Sequence, residues 1–251
     1  MENLQELART YRRILKLKSD PVAVKIIKKN EETPVLFKRP ETPLPGICFA
    51  VMEAFKGKGL YCTRADLSCV MGLTALGFKG ESALPSTYRH PVHLGVFESR
   101  EAARRYFSNG FQLPAAQTRA VALSPLEKAV MGVDVILFKC DADQTRWLFT
   151  ANQYRSGERD LLALGTGYQS ICGHGIAYPY LQRKVNLTLN GVGDRTFSLL
   201  GKNEFLIGIP EGRAVEIAAN LAEIQGKPIF KLRPTSRNFP KANAGRGGLR
   251  P

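Results

Sequence analysis

An α+β or mixed α/β domain, with a central sheet flanked by helices, is the fold class expected of this 251-residue chain. Three observations lead there. Segments with helical spacing alternate along the chain with short runs of β-branched residues. Several of the strand-like runs follow one another closely enough to pair locally. Hydrophobic residues make up 44% of the sequence and charged residues 23%, an ordinary balance for a folded core. The expected organisation is one domain over residues 1–230 and a flexible basic tail over 231–251.

The elements follow in order. Leu4, Leu7, Tyr11, Ile14 and Leu15 share one face of an amphipathic first helix, and SDP stops it. VAVKII (22–27) reads as a strand. A proline-rich loop leads into ICFAVMEAFKGKG, a helix ended by its glycines, and LYCT (60–63) is a brief strand. ADLSCVMGLTALG (65–77) is a short helix that Asp66 or Ser68 can cap. Residues 80–98, with YRHPVH inside, read as loop and short strand. SREAARRYFSNG is a capped helix ended by Gly110. RAVALSPLEKA and VDVILFKC are strands, and Asp141 or Asp143 starts a helix with Trp147, Leu148 and Tyr154 as its buried stripe. LLALGTGYQSICGHGIAYPYL is a small-residue loop passing into a helix. KVNLTLNGVGDRTFSLLGKNEFLIGIP reads as two strands around a glycine-bearing bend, and EGRAVEIAANLAEIQG is a final amphipathic helix ended by Gly226.

Composition narrows the function. The five cysteines are an odd number and follow no secretion signal, which favours metal, cluster or thiol chemistry over a disulfide framework. MENLQELARTYRRILKL carries acids early and lacks an apolar signal core, so a cytoplasmic location is expected. No run of residues is apolar enough to span a membrane. Lys plus Arg is 36 against 22 for Asp plus Glu, a net charge of +14. Such a field attracts polyanions, and the acid-free end KLRPTSRNFPKANAGRGGLRP could hold a phosphate backbone or an acidic partner.

Three cysteines share a local setting: PGICFA (Cys48), LSCVMG (Cys69) and SICGHG (Cys172). Each is expected near a helix start, where free N–H groups and the helix dipole favour a thiolate and small neighbours admit a bound group. Soft thiolates select zinc, copper(I) or iron–sulfur clusters. The alternative is plain burial, since cysteine packs well in cores and none of the three belongs to a C-x-x-C pair. Cys62 is a candidate fourth ligand, a resolving thiol for Cys69, or core packing. Cys140 ends an apolar strand and reads as structural. His174, two residues after Cys172, is another candidate fourth ligand, while His90 and His93 read as surface or loop histidines. Arg195, between glycines and the second strand of its pair, either faces an anionic ligand or pairs with an acid such as Asp194. The glycine-rich stretches ALGTGYQS and NGVGDR match neither a P-loop nor a dinucleotide fingerprint.

SDPVAVKI, Cys48 in the next helix, LSCVMGLTALGF, VDVILFKCDADQTRWLFTANQY, SICGHGIAYP and GVGDRTFSLLGKNEFLIGIPEG occur in that order. Together they resemble the family named domain of unknown function 169, found mostly in archaea and anaerobic bacteria, over about residues 10–225. The resemblance brings no established activity. It implies a single-domain cytoplasmic α/β protein with recurring cysteines at Cys48, Cys69 and Cys172, and so a metal or iron–sulfur site. It also implies a fourth cysteine just before the glycine–arginine bend in some members, where this chain has Asn190 and Gly191.

Three functions follow as expectations: a metal or iron–sulfur protein with redox or small-molecule chemistry; a non-enzymatic module for nucleic acid or another polyanion; and a metal-free thiol redox protein using Cys62 and Cys69.

Overall fold

The computed structural model describes residues 2–31, 37–84, 88–189, 191–197 and 199–231. The chain runs α1 (Glu2–Leu15), β1 (Val22–Lys28), α2 (Ile47–Phe55), β2 (Leu60–Thr63), α3 (Val70–Ala75), α4 (Arg89–His93), α5 (Arg100–Ser108), β3 (Thr118–Pro125), β4 (Val135–Cys140) and α6 (Ala142–Gln153). A π-helix (Ser170–Ala177) continues into α7 (Tyr178–Gln182). There follow β5 (Asn186–Thr188), α8 (Val192–Thr196), β6 (Phe205–Pro210), α9 (Glu211–Gln225) and α10 (Pro228–Lys231). The anticipated basic tail lies outside the described residues, apart from Lys231 at the end of α10. Among the described residues no helix is long and apolar enough to cross a membrane.

Six strands form one sheet in the order β2-β3-β1-β4-β6-β5, and every neighbouring pair is antiparallel. Alternation along the strands divides the apolar residues between two faces. Val22, Val24 and Ile26 of β1, Val135 and Leu137 of β4 and Leu206 of β6 point into one core, under α2, α3 and the π-helix. Ala23, Ile136, Phe138, Cys140, Ile207 and Ile209 point the other way, into a core closed by α1, α6 and α9. Both faces are covered, which gives a mixed α/β domain of three layers.

Local chemistry accounts for most element boundaries. Ser99 caps α5 by accepting from the Ala102 N–H. Asp141 and Gln144 form a reciprocal capping box at the start of α6. Three expectations are corrected. YRHPVH lies largely in helix α4, because the turn at Tyr88 has helical dihedrals and Leu94 closes back on His90. Tyr154 is on the outer side of α6, with its hydroxyl on Glu223, while Trp147 and Leu148 are buried. The glycine-bearing bend between β5 and β6 contains helix α8.

The π-helix rests directly on the sheet. A Cβ on Gly208 of β6 would run into the carbonyl of Gly175, so only a glycine lets the two backbones meet there. Fully buried Asn186 ties the same region together. Its amide donates to the carbonyls of Ala163 and His174, at 3.1 and 2.9 Å, and its oxygen accepts from the Ala163 N–H. Gly208→Ala is therefore expected to cost about 1–3 kcal/mol by overpacking, read as a lower urea midpoint. Gly212→Ala, where an added Cβ meets nothing within 4 Å, should leave the midpoint unchanged or raise it slightly. Equal midpoints for the two variants would mean that the π-helix does not depend on this contact.

Candidate functional site

Two backbone stitches assemble the site. Before α2 and α3 the loops run side by side: the Leu44 N–H donates to the Asp66 carbonyl at 2.8 Å and the Ser68 N–H to the Leu44 carbonyl at 3.1 Å. This lays the start of α2 against the start of α3. The approach is close, since a Cβ on Gly46 would sit 3.1 Å from Cys69 Cβ and 3.4 Å from Cys48 Sγ. Neither Asp66 nor Ser68 caps α3, a correction to the expectation; Cys69 itself occupies the N-cap position, and its carbonyl takes the first helical bond from Leu73. Asp66 instead holds the preceding turn. It accepts from the backbone and hydroxyl of Thr63 and takes Arg39 in a two-pronged ion pair. Burial pushes its carboxyl up, but the Arg39 and Thr63 hydrogen bonds outweigh this and hold its pKa below the usual range.

The second stitch is Gln169. It takes a left-handed conformation (φ 56°) at the head of the π-helix, and its amide donates to the Met71 carbonyl in the first turn of α3 at 3.2 Å. Cys172 is thereby brought to α3, where a Cβ on Gly72 would lie 4.0 Å from both Cys172 Sγ and Cys69 Cβ. Helix α8 closes the arrangement: the Val192 N–H donates to the Gly167 carbonyl at 2.7 Å, and the Ser170 hydroxyl donates to the Asp194 carboxylate.

Cys48, Cys69 and Cys172 consequently line one cavity of about 560 Å³, together with Asp194. Four helix starts, those of α2, α3, the π-helix and α8, meet around it. Its walls are mostly apolar, and Tyr168 and His90 stand among the lining residues, with the Tyr168 hydroxyl 2.8 Å from His90 Nδ1. Among the described residues no lysine or arginine lines it.

The electrostatics match this setting. Burial, then Asp194 and Cys69, push the Cys48 thiol up to about 12, while the N–H groups of Phe49 and of Cys48 itself pull the other way. Burial, then Cys69, Cys48 and Asp194, raise Cys172 well above an ordinary thiol, opposed by the Gly173 N–H. Burial also raises the Asp194 carboxyl, against the hydrogen bonds of Ser170 and Gly191. Cys48, Cys172 and Asp194 are thus all raised by burial in a space whose described lining holds no lysine or arginine.

The other candidates lie elsewhere. Cys62 is buried in β2 on the α2 side of the sheet, opposite Val121, and does not line the cavity. His174 does not line it either. Its Nδ1 lies 2.8 Å from the Ala163 carbonyl and its Nε2 3.5 Å from the Tyr106 hydroxyl, and burial lowers its pKa. Cys140 packs in the core under α1, α6 and α9. His93 lies on α4, outside the cavity lining. Arg195 is on the exposed side of α8, where its neighbour Asp194 is the buried residue that reaches the cavity. All five cysteines are free thiols. Among the described residues no group of three or more His, Cys, Asp or Glu is placed so as to hold a metal ion as the side chains stand.

Sequence reasoning missed three participants: Asp194, Ser170 and Tyr168. The helical i, i+3 spacing of Gly191 and Asp194 was the available signal for the first.

The family model described as DUF169, uncharacterised ArCR, matches residues 11–220. An uncharacterised protein of Methanocaldococcus jannaschii is 26% identical over 220 residues, which cover 86% of this chain and 93% of that protein. No solved structure matches the chain.

Chelator-treated protein should show slow chemistry at Cys48. With its thiol pushed up to about 12, alkylation by iodoacetamide at pH 8, read by mass spectrometry, is expected to be more than about tenfold slower than for a free cysteine peptide. By linkage, a raised folded pKa contributes stability that is fully present below about pH 8.5. That stability is lost as the pH rises towards 12. Reaction at the free-peptide rate would contradict this placement of the thiol.

Proposed function

The chain belongs to the DUF169 family, and on that footing we propose that it binds a soft metal ion or an iron–sulfur cluster through Cys48, Cys69 and Cys172. The observation that carries the reading is the meeting of three cysteines, 103 positions apart in sequence at their second and third members, at one cavity. Plain burial would not require them to share a space. Cys48 and Cys69 are partly exposed and Cys172 is buried, and all three line it, so the site is reachable from solvent through the first two.

The donor set fits such a group. Thiolates bind soft centres, and binding supplies the positive charge that lets the raised thiols release their protons. The N–H groups of Phe49 and Gly173 face two of the sulfurs, the kind of contact that tunes a bound centre. A metal ion or cluster there would supply Lewis-acid or redox chemistry. The chain's own residues would do the rest: the apolar wall around Val70, Val192 and Phe197 excludes water from a small molecule, and the Tyr168 hydroxyl is placed to exchange a proton with His90.

A second reading concerns the surface. Arg9 and Arg13 along α1 and Lys16 just past its end are exposed, beside Arg12, which pairs with Asp20 and Glu127, on the far side of the sheet from the cavity. With the net charge of +14 they favour contact with a polyanion.

Anaerobic purification followed by metal and acid-labile sulfide analysis tests the leading reading. Iron with sulfide, or zinc, is expected in the wild type. It should be lost in Cys48→Ser, Cys69→Ser and Cys172→Ser and kept in Cys62→Ala and Cys140→Ala. A wild type without metal, or equal metal in all five variants, overturns it.

A further inference from the structure

We propose that Asp194 is a fourth acidic group of the cavity, beside the three cysteines, and that the site is built for a cation rather than for an anionic ligand; this rests on the three-cysteine reading. Asp194 is 3% exposed, yet it lines the cavity from the first turn of α8. Its hydrogen bonds are one-sided. The Ser170 hydroxyl and the Gly191 N–H, at 3.0 Å, both donate to Oδ2. Among the described residues no group donates to Oδ1. A carboxylate placed only to cap a helix turn needs one acceptor atom, and an asparagine would provide it. Here a buried carboxylate is tethered through one oxygen with the second left over, beside three thiols.

Tethering of this kind is how carboxylate ligands are held: one oxygen takes hydrogen bonds from the surrounding shell and the other is left for the ion. A buried carboxyl with no basic partner either keeps a proton or meets a cation that stabilises its charge. The chain has 36 lysines and arginines, yet none of the described residues lining the cavity is one of them. Arg195, next in sequence, stands on the exposed side of α8. An anionic ligand would meet the carboxylate with no basic partner. A divalent ion would meet one carboxylate and three potential thiolates.

Cadmium(II) serves as the probe, because thiolate-to-cadmium charge-transfer absorption reports the thiolates and competition with a chromophoric chelator reports affinity. The reduced, chelator-treated full chain is titrated anaerobically as wild type, Asp194→Asn and Ser170→Ala. Asparagine preserves the acceptor for Ser170 and Gly191, so the turn survives while the charge is lost. The expected result is full charge-transfer absorption in both wild type and Asp194→Asn, with affinity at least about tenfold weaker in the latter. Ser170→Ala, which frees the carboxylate from its tether, should weaken binding several-fold. It decides the matter by itself if circular dichroism shows Asp194→Asn unfolded. Unchanged affinity in the folded variants overturns the role of Asp194 and leaves the three-cysteine reading standing. Absence of charge-transfer absorption in the wild type overturns both.

Discussion

The contact on which the rest of the site depends is the close approach of the π-helix to β6, the Gly175 carbonyl over the bare Cα of Gly208. A helix normally packs on a sheet through side chains, about one side-chain layer away. Here two glycines remove that layer. The head of the π-helix then reaches down to α3, where Gln169 bonds the Met71 carbonyl, and Cys172 arrives beside Cys69. A standard α-helix in the same place would redistribute the side chains around the axis, because a π-turn takes one residue more. π-helical segments are rare and recur at functional sites, which is consistent with the cavity at this one's head.

Charge is distributed against the composition. The protein carries a net +14, yet the described cavity wall holds three thiols, one buried carboxylate and no lysine or arginine. Long basic side chains keep their charged ends in water and so collect on the outer surface, as on α1. What remains inside is a set of weak acids in a mostly apolar space. Two of the thiols are raised by burial first and then by their neighbours: Asp194 and Cys69 act on Cys48, and Cys69, Cys48 and Asp194 act on Cys172. A compensating positive charge would favour the thiolate forms of Cys48 and Cys172 against that burial. Stability and binding are coupled through that balance.

Much of the fold was legible because its determinants are local. The apolar face of α1, the β-branched run of β1, the Asp141 cap of α6 and the glycine ending α9 each act over a few residues, and each element is found where its signal lies. Failures came where a distant partner decided the matter. Asp66 looked like a cap for α3 but is held by Arg39, 27 positions earlier in sequence. Tyr154 fits an apolar stripe by spacing, yet its hydroxyl goes to Glu223 on α9. Residues 191–197 look like a hairpin bend by composition, but Asp194 turns back on Gly191 and Ser170 and winds them into α8.

The sequence by itself determined the order of the longer helices and of the strands they flank, helices against the sheet, and the placing of three cysteines near helix starts. All of these follow from periodicity and capping within short windows. Only the tertiary structure decided that those cysteines face one cavity, that Cys62 and His174 stand outside its lining, and that Asp194 rather than Arg195 turns inward. The reason is physical. Gln169 to Met71 spans 98 positions and Ser170 to Asp194 spans 24, and no local pattern encodes which distant backbone will come close enough to accept a hydrogen bond.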